Sequence, residues 1–352
     1  MSHRVTLLPS GHSFEVEPGE VLLDAALRAG LNIRYSCNSG SCGECLARLV
    51  EGELGPVGHH DFVIPGAERF RGAFLMCRAT AASDLVIEAG EARSAADIPR
   101  QRLTATVARL TPLCDDVLEV QLRTPRSRTL RFLAGQHVTL RLPGVPPRNK
   151  SIASCPCNGM LLQFHVRRVP GDAFSEYVHT QLKARQKVEL EGPWGDFVLD
   201  EDSRRPIMFL AFETGFAPIK SLIEHAISLE LPQPMRLYWV ARDACDHYME
   251  NYCRAWQDAL DDFHFIPVAG DGGRTDWLPP ETVPGLPAQL DSAARAVLHG
   301  AWRMTQDFPD VGPFDIYANG PASVITAARA LLGAHGLRED RLFVDEFERF
   351  PG

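Results

Sequence analysis

Hydrophobic and polar positions along this chain change rhythm three times. Short alternating runs at residues 4–8 and 13–16 flank Pro9-Ser10-Gly11-His12 and predict a β-hairpin. Apolar residues then recur at helical spacing over 21–29 and stop at Gly30. Residues 46–49 and 84–87 read as further strands, so one helix laid on a small mixed sheet is expected. Residues 89–99 are polar and alanine-rich and read as a linker. Five alternating runs follow, at 103–109, 117–122, 137–142, 161–166 and 187–190, separated by Gly and Pro. That rhythm predicts a small β-barrel. From Pro206 strand patterns alternate with helical ones: 207–212 then 218–229, 236–240 then 248–260, 315–318 then 322–333. Alternation of this kind predicts a parallel sheet covered by helices. The Gly/Pro-rich stretch 271–287 fits neither pattern.

The length of 352 residues suits two or three domains. A hydrophobic content of 45% with 23% charged residues is ordinary for a globular chain. The net charge of −9, with no basic stripe, argues against a nucleic-acid partner. The longest apolar stretches, 207–212 and 237–241, are too short to span a bilayer. Met1-Ser-His-Arg-Val lacks a signal peptide's apolar core, and the chain is read as cytoplasmic.

Cysteine usage changes the picture most. Of nine cysteines, three fall within nine residues, in Cys37-Asn-Ser-Gly-Ser-Cys42-Gly-Glu-Cys45, and Cys77 follows in Leu75-Met76-Cys77-Arg78. The spacing C-x4-C-x2-C with a distant fourth Cys is the plant-type ferredoxin pattern for a [2Fe–2S] cluster. Such a cluster needs four thiolates and a thin loop whose backbone N–H groups approach the sulfurs, which suits Gly40 and Gly43. A structural zinc site is the alternative, but zinc sites usually pair two C-x2-C units. Cys114, Cys155, Cys157, Cys245 and Cys253 are scattered and read as small buried hydrophobes.

With these motifs in view, the chain resembles, over nearly its whole length, the ferredoxin-fused flavin reductases that serve bacterial oxygenases and the CDP-6-deoxyhexose reductases. The segments that carry the resemblance are 37–45, 148–154, 165–175, 192–197, 214–225 and 317–321. It implies a multidomain fold of α/β and β type. A β-grasp [2Fe–2S] ferredoxin domain (1–93) would precede a flavin-binding β-barrel (100–202) and a parallel-sheet α/β nucleotide-binding domain (205–352). It also implies FAD, with NADH or NADPH as reductant, and an oxygenase or dehydratase component as electron acceptor.

Three motifs depart from the family pattern. The flavin motif Arg-x-Tyr-Ser reads Arg148-Asn149-Lys150-Ser151 here. By resemblance Arg148 meets a flavin phosphate, Ser151 faces the flavin ring, and Lys150 replaces the aromatic residue that covers it. Gly171 and Ser175, at the start of a predicted helix, mark where the family places the FAD pyrophosphate, and Asp172 between them adds a negative charge. The dinucleotide turn reads Glu213-Thr214-Gly215, with Glu213 where the family has glycine. A carboxylate about 4 Å from a phosphate costs roughly 1–4 kcal/mol, or about tenfold to a thousandfold in affinity, unless it turns away. The family's Cys-Gly-Pro reads Asn319-Gly320-Pro321, and Asp345-Glu346-Phe347 falls where members place residues near the flavin.

In this reading Ser151 and Asn319 are the catalytic positions. Arg148, Asn149, Lys150, Ser151, Gly171, Ser175, Thr214, Gly215 and Gly320 bind cofactor, and Cys37, Cys42, Cys45 and Cys77 bind iron. The chain is then an NAD(P)H-dependent reductase passing electrons through FAD to the cluster and on to a partner. The alternative, favoured by Lys150, Glu213 and Asn319, is an electron-carrier or assembly subunit whose reductase domains serve as scaffold. His59-His60-Asp61 is a weak metal candidate, because adjacent residues rarely aim at one centre. His165, His179 and His225 are read as packing or surface residues.

Overall fold

The computed structural model describes residues 2–92, 94–125, 128–241, 247–269 and 292–347. The stretch 271–287 lies outside the described residues, as does Cys245.

The first block builds β1 (His3–Leu8), β2 (Ser13–Val16), α1 (Leu22–Arg28), β3 (Leu46–Glu51), β4 (Leu54–Val57), α2 (Gly66–Phe70), β5 (Ala73–Leu75), β6 (Ala79–Ala81) and β7 (Leu85–Ala89). Its main sheet runs β2-β1-β7-β3-β5, with β1 antiparallel to β2 and parallel to β7. Alternation puts Val5, Leu7, Phe14 and Val16 on one face, where Leu22, Leu23, Ala25 and Ala26 of α1 cover them. The β4–β6 ribbon, α2 and β5 left no periodic signal, being three to five residues long.

The expected linker is a packed strap. Glu91 takes the His12 ring at 3.0 Å, and the Ala92 N–H donates to the Asn32 carbonyl at 2.9 Å. Ile98 then buries against Ala92 and Leu133.

The second block forms an antiparallel six-stranded sheet of β8 (Gln101–Pro112), β9 (Val117–Arg123), β10 (His137–Arg141), β11 (Arg148–Ser151), β12 (Leu161–Arg167) and β13 (Lys187–Trp194). Its order is β11-β10-β13-β8-β9-β12. The two edges are stitched where the Ala153 N–H, just past β11, donates to the Gln163 carbonyl of β12 at 2.8 Å. Helix α3 (Ala173–Thr180) plugs one end with Phe174 and Val178.

The third block alternates β14 (Ile207–Phe212), α4 (Phe216–Ser228), β15 (Met235–Ala241), α5 (Glu250–Ala259), β16 (Phe263–Ala269), α6 (Ser292–Asp307), β17 (Asp315–Pro321), α7 (Ala322–Gly333) and β18 (Leu342–Phe347). All five strands are parallel, in the order β16-β15-β14-β17-β18. Strands β14 and β17 are buried along their whole length, which is why β14 reads as a continuous apolar run. The chain order reverses between them, and ligands of such sheets bind at the strand carboxyl ends beside that switch.

Helix α4 holds the three blocks together. Its Lys220 ammonium, 3% exposed, donates to the Ala153 carbonyl (3.1 Å), Gln163 Oε1 (3.1 Å) and Glu224 Oε1 (2.6 Å) at the barrel seam. At its other end Ser228 packs so closely on Gly30 that a Cβ there would overlap the serine hydroxyl, and Leu229 packs on the first block's core. No helix among the described residues is long and apolar enough to cross a membrane.

Candidate functional site

The cysteine loop lies between α1 and β3, and Cys77 comes from the turn between β5 and β6. Cys37, Cys45 and Cys77 are buried and Cys42 is partly exposed. Backbone N–H groups point at the sulfurs: Ser39 and Ser41 donate to Cys37 Sγ at 3.4 and 3.3 Å, and Glu44 donates to Cys42 Sγ at 3.5 Å. Gly40 and Gly43 adopt left-handed backbone (φ 81° and 80°), and a side chain on Gly43 would collide with the Phe62 ring.

The thiols hydrogen-bond two by two, Cys37 with Cys42 and Cys45 with Cys77. Burial raises the Cys37 thiol, but hydrogen bonds from Ser41 and Ser39 outweigh it and hold it at about 5. Cys77 lowers Cys45 by donating to it, and is itself raised by that bond and by burial. Among the described residues no three metal-ligating side chains gather about one point. Two thiol pairs under backbone donors fit a two-iron cluster better than a single tetrahedral zinc. His59 and Asp61 are 87% and 78% exposed and His60 bonds the Phe62 carbonyl, so that trio forms no site.

Strand β11 splits the flavin motif between two faces. Arg148 and Lys150 share the face of their cross-strand partners Leu140 and Val138, which are buried in the barrel. Asn149 and Ser151 take the other. Arg148 reaches Asp172 at 2.7 and 3.2 Å. Asp172 also caps α3 by accepting from the Ser175 N–H at 2.9 Å. Lys150 extends over the Phe174 ring at 5.8 Å; burial lowers its ammonium, and Asp172 partly offsets this. Two basic side chains thus gather around one carboxylate at a helix start, a fitting place for a diphosphate.

The remaining flavin positions are internally engaged. The Ser175 hydroxyl is buried between Val169 and Asp172, and Gly171 supplies a left-handed turn (φ 83°) just before the cap. Asn149 accepts from Thr139 on the exposed side of the sheet.

At the carboxyl ends of β14 and β17 three sequence-distant groups meet. Asp345, on β18, accepts from the Asn319 amide at 2.7 Å and from the Ser151 hydroxyl at 3.4 Å. Burial raises its carboxyl to about 6, against the pull of those two hydrogen bonds. The structure therefore joins both expected catalytic residues through a third that the motifs alone did not rank. Only its place in the terminal Asp345-Glu346-Phe347 segment pointed to it. Gly215 matters by closeness: a Cβ there would fall on the Asn319 amide oxygen, which is buried and makes no hydrogen bond to the described residues. Gly320 lies one residue beyond, opposite Glu346, and Thr214 is half-buried in the turn.

Glu213 keeps the left-handed backbone that a glycine would take (φ 48°), and its carboxylate meets a cation of the barrel block. It lies 3.7 Å from Arg167 of β12, which also pairs with Asp116. The anticipated clash with a phosphate is thereby reduced by an ion pair.

Comparisons with known proteins agree with this layout. Residues 5–82 match the 2Fe-2S iron-sulfur cluster binding domain, 104–199 the oxidoreductase FAD-binding domain, and 209–282 the oxidoreductase NAD-binding domain. The CDP-6-deoxy-L-threo-D-glycero-4-hexulose-3-dehydrase reductase of Yersinia pestis is 31% identical over 347 residues, 99% of each chain. Reductase component 1 of terephthalate 1,2-dioxygenase from a Comamonas species is 30% identical over 351 residues, 100% of this chain and 99% of that one. The solved cytochrome P450 reductase GcoB of Amycolatopsis superposes with a TM-score of 0.59 at 28% identity, over 98% of both chains. The chain therefore belongs to the ferredoxin-fused flavin reductases, NAD(P)H-dependent oxidoreductases that use FAD and a [2Fe–2S] cluster to deliver electrons to a partner enzyme.

Proposed function

We propose that this chain is the reductase component of an oxygenase or dehydratase system, and that Cys37, Cys42, Cys45 and Cys77 hold the cluster from which the partner takes electrons. Arg148 and Lys150 receive the flavin diphosphate at the start of α3. Ser151, Asn319 and Asp345 line the crevice where flavin and nicotinamide meet. Thr214, Gly215 and Gly320 form the dinucleotide side of that crevice. Bound FAD supplies the conversion of a two-electron hydride donor into single electrons for the cluster.

The chain's own part is orientation and proton control. Ser151 and Asn319 fix the Asp345 carboxyl, whose pKa of about 6 lets it hold or release a proton near neutrality. Lys150, in place of an aromatic, trades ring stacking for charge. The observation that carries the reading is the convergence of Ser151, Asn319 and Asp345, from two domains, at the switch point of the parallel sheet.

The test is an anaerobic titration of purified protein with NADH or NADPH, alongside iron, sulfide and acid-released flavin assays. One FAD and two irons per chain, with rapid bleaching of both chromophores, is expected. Cluster absorption without flavin, and no response to either dinucleotide, would leave only an electron carrier on a reductase scaffold.

A further inference from the structure

The motif Cys155-Pro156-Cys157 sits in a tight turn where all three domains meet, and neither the cluster nor the crevice uses it. The turn Pro156–Asn158 packs between α1 of the ferredoxin block and α4 of the parallel-sheet block. Cys155 is 6% exposed, whereas Cys157 is half-buried. The Cys157 N–H donates to Cys155 Sγ at 3.3 Å. Cys155 Sγ also lies 3.8 Å from the Ser228 hydroxyl, which donates to the His225 carbonyl at 2.8 Å. That histidine is 1% exposed and bonds Glu201 at 2.8 Å through Nε2.

We propose that Cys155 and Cys157 form a redox-active dithiol that a hydroperoxide converts to an intrachain disulfide. A capped turn alone needs one sulfur acceptor. It does not need a second cysteine two residues on, nor a buried histidine–carboxylate pair on the helix that packs against the turn. Two cysteines separated by one residue in a turn bring their Cα atoms within the roughly 4.4–6.8 Å that a disulfide spans.

The two thiols have different parts. Cys155 is pushed up by its bond to Cys157 and by burial, and Cys157 is drawn down by the same bond. His225 is held up at about 9: burial works against this, but its bonds to Cys155 and Glu201 prevail. The other charged groups at the site are Glu224, which accepts from the Cys155 N–H at 3.2 Å, and Lys220, paired with Glu224. Cys157, the more exposed of the two, presents the nucleophilic thiolate toward solvent. Its sulfur attacks the peroxide O–O bond, taking one oxygen to form a sulfenic acid, and the other oxygen leaves as hydroxide and becomes water. The Cys155 sulfur then attacks the Cys157 sulfur, and the sulfenic oxygen leaves as a second water with the Cys155 proton. Two thiols lose two electrons and two protons, and one hydrogen peroxide becomes two waters. The flavoprotein reading matters only for the source, because reduced flavin in air yields peroxide; the test supplies the oxidant directly.

Holoprotein is treated with stoichiometric hydrogen peroxide, alkylated and digested with trypsin. Residues 151–167 form one tryptic peptide with no other cysteine. That peptide is expected to lose about 2 Da, to resist alkylation, and to recover both on dithiothreitol treatment. In Cys155→Ser the reaction should stop at a sulfenic acid on residue 157 that dimedone traps. Cys157→Ser should react at least tenfold more slowly, and His225→Gln severalfold more slowly with flavin content unchanged. A wild-type peptide still fully alkylated when cluster absorbance begins to bleach overturns the proposal. So does a Cys157→Ser protein oxidised as fast as wild type.

Discussion

Asp345 shows how much a single carboxyl can report. Its folded pKa of about 6 exceeds the value near 3.9 expected when unfolded. A carboxyl raised on folding favours the fold below about pH 4, and that contribution is lost as pH rises through 6. Asp345→Asn should therefore flatten the pH dependence of Tm between pH 4 and 7 and raise stability at pH 8 by about 1–3 kcal/mol, the range allowing for its partial exposure. An unchanged Tm profile would show that the carboxyl is not buried as described. Glu213 carries the second prediction at this scale. Its carboxylate faces Arg167, so Glu213→Gly should shift the Kd for NADH by less than about tenfold in a difference-spectrum titration. The sequence showed that residue 213 occupies a glycine position. Its partner, 46 residues earlier on a different domain, left no local trace, and so the repulsion looked larger than the structure makes it.

Among elements, the cluster loop is the least tolerant. Gly43→Ala would force a Cβ into the Phe62 ring at a backbone φ of 80°, so iron and sulfide per chain should fall by more than half while FAD content holds. Strand β11 and helix α3 form the complementary unit. Lys150→Ala removes one of the two basic side chains around Asp172, and FAD retained through gel filtration should drop about tenfold, measured as acid-released flavin. Elements with long alternation or a full helical stripe, such as β1, β9, β12 and α1, were legible from the sequence because one buried face repeats. The short strands β4 to β6 were not, since three or four residues cannot display a period. The proposed cluster ligands show in the sequence by their spacing, three of the four within nine residues. The Ser151–Asn319–Asp345 meeting could be assembled only by the fold, which joins positions almost two hundred residues apart.

Across the whole molecule, α4 and the strap at Glu91–Ala92 make the ferredoxin block part of one body with the other two. Tyr35, two residues before Cys37, packs its hydroxyl against Gly159 of the barrel block. Gly30→Val would push Ser228 of α4 off the ferredoxin block. Flavin reduction by NADH should keep its rate in stopped-flow traces while cluster reduction slows at least tenfold; equal slowing of both would mean that the junction serves the whole crevice. The close seat of Ser228 on Gly30 also has a kinetic meaning. A donor and an acceptor fixed on one scaffold need no diffusional search, so the internal hop is first order. Its rate should not change with dilution or with added salt, and only the outward delivery to the separate acceptor protein should depend on concentration and ionic strength.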